Sequence, residues 1–258
     1  MNVRAIELGQ RIDRLLSVEG HPDYPTALNG LQVDCRTPVR AMAAAVDASM
    51  RSIQGAANIG ANFLIVHHGL FWSGVQPIVG NAYQRIRLLF EHDIAVYSSH
   101  LPLDAHPEFG NNALLAREFG LTPSRPFARF QGVPIGVAGD TDTPTDAILS
   151  LADAFARRHG GLARSSELPD GHRTRRWAIC TGAGASSETL REAEASGIDT
   201  LITGEGPHHT TVEAPERCVV VIYAGHYATE TLGVMAIAER IAGEVGVPWS
   251  FVDAPTGS

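Results

Sequence analysis

Two adjacent histidines, His67 and His68, directly follow the apolar residues 63–66 and precede Gly69. Inside a β-strand, neighbouring side chains point to opposite faces of the sheet, so the two rings would be separated. At the carboxyl end of a strand, where open α/β sheets bind ligands, both imidazoles can turn toward one crevice and share a metal ion. Taken alone, however, the pair is more typical of polar loop residues that follow a core strand.

A second polar cluster follows the apolar residues 94–96, in the stretch YSSHLPLDAHPEFGNN at 97–112. It contains His100, Asp104, His106 and Glu108, and Asp104 supplies the hard oxygen that divalent ions prefer. His106 and Glu108 are more typical of a solvated loop.

A third polar set, His226 and Glu230, follows the apolar residues 219–223. In a helix, residues four apart project from one face across a single turn of about 5.4 Å. An imidazole and a carboxylate so placed can hold one ion, or bridge two ions about 3.5–4 Å apart. By itself, this spacing is common on helix surfaces.

Together the three sets predict a dinuclear metal site, because each lies at the end of a predicted strand. Its ligands would be His67, His68, Asp104, His226 and Glu230. Five side chains suffice for two divalent ions if a carboxylate bridges them and water completes the coordination. The set lacks sulfur, which favours Zn, Fe, Mn, Co, Ni or Mg over copper(I), and the imidazoles disfavour Mg.

Other polar residues could support chemistry at this site. His100 is a candidate acid or base behind the ligands, and Glu205 follows the predicted strand 200–203. A hydrogen-bonded loop histidine and an exposed glutamate are the ordinary alternatives. The loop TGAGASSE at 181–188 could hold an anion with its backbone amides, but it matches no phosphate-loop pattern and is more typical of a tight turn.

Composition and charge exclude several classes of protein. The 258 residues carry a formal net charge of -8 and no basic block that could follow a phosphate backbone, which disfavours nucleic acid as a partner. There is no apolar run of about 18 residues, so we expect no signal peptide, no membrane span and a cytoplasmic protein. Cys35, Cys180 and Cys218 form no CxxC pair and are expected to be small buried hydrophobes.

The elements that must position these residues alternate between short apolar runs and helical patterns, as in βαβ units with mostly parallel strands. We predict strands at 41–46, 63–66, 94–98, 133–137, 177–180, 200–203, 219–223 and 249–252. Helices are predicted near 49–59, 80–91, 110–119, 144–159, 187–196 and 228–245. Residues 41–69 and 176–209 share one order of elements, which indicates two copies of one α/β unit. The proline-containing stretch 122–134 interrupts the pattern, and we place a domain boundary near 125.

Several motifs occur in the order found in one known family. They are NGLQV (29–33), AAVDAS (44–49), LIVHHGLFW (64–72), SSHLPLDAHPEFGNNALLA (98–116), LITGE (201–205) and AGHYATETLG (224–233). Together they resemble the NIF-three-like dinuclear metal-centre family, whose members are described as GTP cyclohydrolase I type 2-like. The chain is similar to the short form, without the inserted domain of long members. His208 and His209 lie outside the family pattern.

The resemblance implies an α/β fold of two similar intertwined domains built from βαβ units, with a metal cleft between them. If residues 226 and 230 complete a site begun at residues 67, 68 and 104, the domains would be 1–125 plus 221–258 and 126–220. The resemblance also implies two metal ions per chain, a toroidal homohexamer, and the same five ligands as the residues themselves indicate.

Two functions follow from this reading. The first is a dinuclear metal-dependent hydrolase, GTP cyclohydrolase I type 2-like, with a metal-bridging water or hydroxide as nucleophile and Glu230, His100 and Glu205 as catalytic groups. Its substrate would be a small molecule, such as a nucleotide or another phosphorylated compound, although phosphoester and amide hydrolysis are chemically equivalent choices. The alternative is a hexameric, ring-shaped metal-binding regulatory or scaffold protein without turnover.

Overall fold

The computed structural model describes residues 3–257, which form a mixed α/β fold with two β-sheets. The helices are α1 Ala5–Leu16, α2 Met50–Asn58, α3 Gly80–Glu91, α4 Leu101–Asp104, α5 Asn111–Glu118, α6 Thr145–Arg158, α7 Ser187–Ala195, α8 His208–Glu216, α9 His226–Thr229 and α10 Thr231–Val245. The strands are β1 Gly30–Val33, β2 Met42–Asp47, β3 Phe63–His68, β4 Ala95–Ser98, β5 Arg125–Phe130, β6 Val133–Pro144, β7 Arg164–Ser165, β8 Arg173–Cys180, β9 Thr200–Thr203, β10 Val220–Tyr223 and β11 Trp249–Phe251.

The first sheet has the strand order β1-β4-β3-β2-β11. Strands β11, β2, β3 and β4 run parallel, and β1 is antiparallel to β4 at the edge. The two central strands β2 and β3 are apolar without alternation, as expected for parallel strands buried on both faces. Their carboxyl ends lie in register, with Asp47 opposite His68 and Val66 opposite Ser98, so the polar residues that follow meet at one edge.

The second sheet has the order β5-β6-β8-β9-β10-β7 and is mixed. Only β8, β9 and β10 are mutually parallel among the described strands of this sheet, so the prediction of mostly parallel strands is wrong here. The stretch 122–134 is the reason, because it contains β5, which forms a hairpin with β6. Gln131 and Gly132 both have positive φ, 49° and 86°, as a two-residue hairpin turn requires.

The predicted internal repeat is confirmed as two βαβ units, β2–α2–β3 and β8–α7–β9, each with parallel strands. In both units a serine begins the helix after the first strand. Ser49 accepts a hydrogen bond from the Ser52 amide, and Ser186 forms a reciprocal capping box with Thr189.

The chain packs as two compact units, each with one sheet. The first unit comprises the chain up to Leu103 and Gly233–Ala254, and the second comprises Asp104–Leu232 and the residues after Ala254. The predicted division into two domains, 1–125 plus 221–258 and 126–220, stays a prediction. A compact unit is defined by how its residues pack, whereas a domain is defined by its ability to fold independently. No helix in residues 3–257 has the length and apolar character needed to cross a membrane.

Candidate metal centre

In the first unit, His67 and His68 are the last two residues of β3, which extends two residues beyond the predicted strand. Their ring centroids are nevertheless only 4.8 Å apart. The rings converge because the ends of different neighbouring strands hold them. Nδ1 of His67 lies 3.0 Å from the carbonyl oxygen of Ser99, after β4, and Nδ1 of His68 lies 2.9 Å from Oδ1 of Asp47, at the end of β2.

His100 joins these two histidines, with its ring centroid 4.9 Å from that of His67 and 5.7 Å from that of His68. One candidate ligand atom from each of the three lies within 4.8 Å of the others. Nδ1 of His100 is 2.8 Å from Oδ1 of Asp23. Burial alone would raise the pKa of Asp23, but the hydrogen bond and charge of His100, with bonds from Asn29 and the Tyr24 amide, hold that pKa below its usual value.

The hydrogen bonds fix which nitrogen of each ring can bind a metal. In all three histidines of this cluster, Nδ1 faces an oxygen acceptor: a carbonyl for His67, a carboxylate for His68 and His100. A carbonyl oxygen only accepts, so Nδ1 of His67 carries the hydrogen and its Nε2 keeps the lone pair. Carboxylate-bound imidazoles orient metal ligands in the same way. The donor set therefore fits a divalent ion that prefers nitrogen.

The supporting residues of this cluster were missed in the sequence. Asn29, in the NGLQV motif, accepts a hydrogen bond from the His100 amide at 2.7 Å and donates one to Asp23 at 2.8 Å. Gln32, in the same motif, accepts from the Leu70 amide at 2.7 Å. The position of Asp47 directly after the predicted strand 41–46 was a usable signal, because polar residues at strand ends were the pattern that identified the candidate ligands.

An aromatic residue borders the same cluster. The Trp72 ring centroid lies 4.7 Å from that of His100 and 5.4 Å from that of His68. Trp72 is 39% exposed, so solvent reaches this side of the histidines. The fluorescence of this indole would therefore respond to a metal ion bound by the neighbouring histidines.

In the second unit, His226 and Glu230 form a close pair, with Nε2 of the imidazole 3.2 Å from Oε2 of the carboxylate. His226 begins the short helix α9 and Glu230 follows its last residue, so the predicted helical turn is present. Nδ1 of His226 lies 2.8 Å from Oε1 of Glu205. Glu205 therefore contacts a predicted ligand, as Asp47 does in the first unit.

Charge explains the protonation of this pair. Burial alone would lower the pKa of His226, but the hydrogen bonds and charges of Glu230 and Glu205 raise it to about 10. Without metal, His226 is therefore protonated at neutral pH, and a metal ion has to displace that proton.

The 181–188 loop supports the pair through a glycine. Gly182 has φ +61°, and a Cβ there would lie 2.1 Å from Oε1 of Glu230 and 3.4 Å from Nε2 of His226. Its amide donates to Thr229 at 3.1 Å and its carbonyl accepts from the Glu205 amide at 2.8 Å. The Thr181 amide also donates a hydrogen bond within the chain, to Oδ1 of Asn112 at 2.8 Å. These bonds match the tight-turn interpretation of the loop.

Asp104 is the last residue of α4, and it is buried with Oδ1 accepting a hydrogen bond from Asn111 at 2.8 Å. Burial is the main reason that the pKa of the Cys180 thiol is raised to about 12, and the charges of Asp104, Glu192 and Glu230 add to it. Both predicted carboxylate ligands thus act on the same thiol, which stays protonated.

The three cysteines and the histidines outside the candidate ligand set were also the subject of predictions. Cys35 and Cys180 are buried as predicted, whereas Cys218 is exposed, because it lies in the turn after α8 with φ 55°. His106 belongs to a local turn, in which its Nδ1 accepts from the amides of residues 108 and 109. His208 and His209 are exposed at the start of α8.

Residues 3–256 match the family model described as Duf34/NIF3 (NGG1p interacting factor 3). The chain belongs to the NIF3 family. Two similar proteins, both named GTP cyclohydrolase 1 type 2 homolog, come from Deinococcus radiodurans and Halobacterium salinarum. Each is 42% identical, over 97% of this chain and 93% or 98% of the relative. A solved structure titled as protein ybgI, of unknown function, has a TM-score of 0.88 and 33% identity, and covers 99% of this NIF3 chain and 100% of its own. The family and the α/β fold expected from the motifs are confirmed.

Proposed function

We propose that this chain is a dinuclear metal-dependent hydrolase of the GTP cyclohydrolase I type 2-like kind. Its metal ligands are His67, His68, Asp104, His226 and Glu230. The observation that carries the proposal is that Nδ1 of each of these three histidines faces an oxygen acceptor, so Nε2 of His67 and His68 is the nitrogen that can bind a metal, while Nε2 of His226 lies against the other proposed ligand of its pair, Glu230. The names of the relatives support a small-molecule substrate related to GTP.

When bound, two divalent ions such as Zn, Fe, Mn, Co or Ni would supply Lewis acidity and lower the pKa of water toward neutrality. The chain's own residues orient ligands and move protons. Asp47 and Glu205 hold His68 and His226. His100, held by buried Asp23, can accept or donate a proton at Nε2, as a general acid or base does. Glu230 serves as both ligand and catalytic carboxylate.

The test compares metal-loaded wild-type protein with Glu230→Gln on GTP, simple phosphoesters and small amides. Glutamine keeps the shape of the side chain and removes its charge. We expect the wild type to turn over at least one substrate class and the variant to lose both that turnover and metal affinity. If the wild type binds about two ions per chain but transforms none of the three classes, the hydrolase proposal is refuted.

One surface of the first unit supports the self-association that the alternative function, a ring-shaped metal-binding regulatory or scaffold protein, requires. Val79, Tyr83 and Phe90, at and within α3, are 68%, 51% and 61% exposed. Spacings of four and seven residues put them within about 40° of one another around the helix, so they form one apolar stripe. Such stripes mark interaction surfaces, and a second copy of this chain is the partner that a homohexamer supplies.

The mass of the wild type in solution, from light scattering, tests self-association. We expect six chains for the wild type and fewer for Phe90→Glu. Leu151→Glu, at a 46% exposed position in the second unit, is the matched control and should keep the wild-type mass. A monomeric wild type would refute the hexamer.

A further inference from the structure

The second unit contains a cleft of about 440 Å³ whose lining residues do not include the proposed metal ligands. It lies at the carboxyl ends of the parallel strands β9 and β10, where α/β sheets bind ligands. Its volume falls in the range of about 300–1,000 Å³ that is typical of small-molecule sites. Gly204, Gly206 and Gly225 are among the residues that line it.

The cleft carries one charge of each sign. Of the described residues that line it, Arg164 alone is positive and Glu205 alone is negative. A guanidinium presents a planar fork of N–H donors that matches a phosphate. A carboxylate accepts N–H groups through two oxygens, and Oε1 of Glu205 already accepts from His226.

Strand register gives the scale of the separation between the two charges. Arg164 pairs with Tyr223, and Tyr223 pairs with Thr203, two residues before Glu205. Neighbouring strands lie about 4.8 Å apart, so the backbones at residues 164 and 203 are separated by roughly 10 Å. A ligand with a phosphate at one end and an N–H edge at the other spans such a distance. The Tyr223 hydroxyl, 3.2 Å from that of Thr211, gives the wall between them polar character.

We propose that this cleft is a binding site for a phosphorylated small molecule with N–H donors, such as a nucleotide. Arg164 holds the phosphate, and the carboxylate of Glu205 accepts from the donor edge. Because Glu205 also holds His226, a ligand bound here lies beside a proposed metal ligand. The assignment rests on the proposed function, and it names the substrate class and the residues that select it.

Calorimetric titration of the full-length, metal-free chain tests the site. The probes are GMP, guanosine, which has the same base and sugar without phosphate, and inorganic phosphate. The variants are Arg164→Gln and, as a matched control, Arg175→Gln, which removes an exposed arginine of the same unit outside the cleft.

We expect the wild type to bind GMP more tightly than guanosine. Arg164→Gln should weaken GMP binding at least about tenfold, as for a lost hydrogen bond between charged groups, and leave guanosine binding unchanged. Arg175→Gln should match the wild type. Equal losses in both variants, or a wild type that binds none of the probes, would overturn the proposal.

Turnover by metal-loaded protein separates this proposal from the hydrolase. Tight GMP binding that depends on Arg164, without turnover of GTP, phosphoesters or amides, would support the cleft and refute the hydrolase. Turnover of GTP with unchanged kcat and KM in Arg164→Gln would support the hydrolase and refute the cleft.

Discussion

Replacing Asp47 tests whether the carboxylate behind His68 tunes a metal ligand. The Oδ1–Nδ1 distance is 2.9 Å, and Asp47 has 34% of its side chain exposed. Loss of a carboxylate behind a ligand histidine typically costs about 10–100-fold in metal affinity. Because solvent screens a partly exposed pair, we expect the lower end for Asp47→Ala, about tenfold or about 1.4 kcal/mol. Asp47→Asn should lose less, since its amide oxygen can still accept from Nδ1.

The assay is a titration of chelator-treated protein with Co²⁺ or Ni²⁺, followed by Trp72 fluorescence and by calorimetry. These open-shell ions quench a nearby indole, and Trp72→Phe identifies the signal that belongs to this residue. Glu91→Ala is the control, because it removes a carboxylate of the same unit that pairs with Arg87 on the surface of α3. Equal affinities of Asp47→Ala and Glu91→Ala for the ions would show that the Asp47 carboxylate does not tune His68.

Three further predictions concern stability and reactivity. Gly182 and Gly171 share a left-handed φ, so the backbone strain of each change to alanine should cost about 1–2 kcal/mol of unfolding free energy. In Gly182→Ala the new Cβ would also meet the carboxylate of the proposed ligand Glu230, so of these two variants it alone should lose metal affinity. Equal metal affinities of the two variants would contradict this. The pKa of Asp23 in the folded chain lies below its unfolded value of 3.8, so the ionised carboxylate stabilises the fold. In urea unfolding, the stability advantage of the wild type over Asp23→Asn should therefore be complete above about pH 5 and should shrink as the pH falls below 3.8. A constant advantage down to about pH 2.5 would contradict this role of Asp23. At pH 8, iodoacetamide should modify the exposed Cys218 within minutes and leave Cys180 unmodified in the folded chain, because the Cys180 thiol is buried and protonated. Mass spectrometry of the labelled chain measures both, and equal labelling of the two cysteines would contradict the prediction.

The sequence predicted the positions of the strands that precede the proposed ligands well, because the signal of such a strand is local. An apolar run followed by a polar residue is visible without knowing the partner strand, and Thr200–Thr203 was predicted with the bounds that the structure shows. The end of β3 was placed two residues too early because histidine is polar, whereas His67 is fully buried. Its burial depends on the Ser99 carbonyl 32 residues away, which no local pattern reveals.

The contacts that support the histidines could not be predicted from local sequence either, because they join residues that are far apart in the chain. Asp23 and His100 are 77 residues apart, and their pairing depends on where two loops meet. β5 was missed because Pro126 suggested a break, but an edge strand tolerates proline, and β5 is the edge of its sheet. The two-residue strand β7 is defined by its partner β10 more than by its own residues.

Anomalous diffraction from crystals of the zinc-loaded protein tests the proposal that this chain binds divalent ions through five named side chains. We expect two anomalous peaks per chain at the zinc edge. Nε2 atoms of His67, His68 and His226 and carboxylate oxygens of Asp104 and Glu230 should lie about 2.0–2.2 Å from them. Peaks bound by other residues, or by Nδ1 atoms, would contradict it.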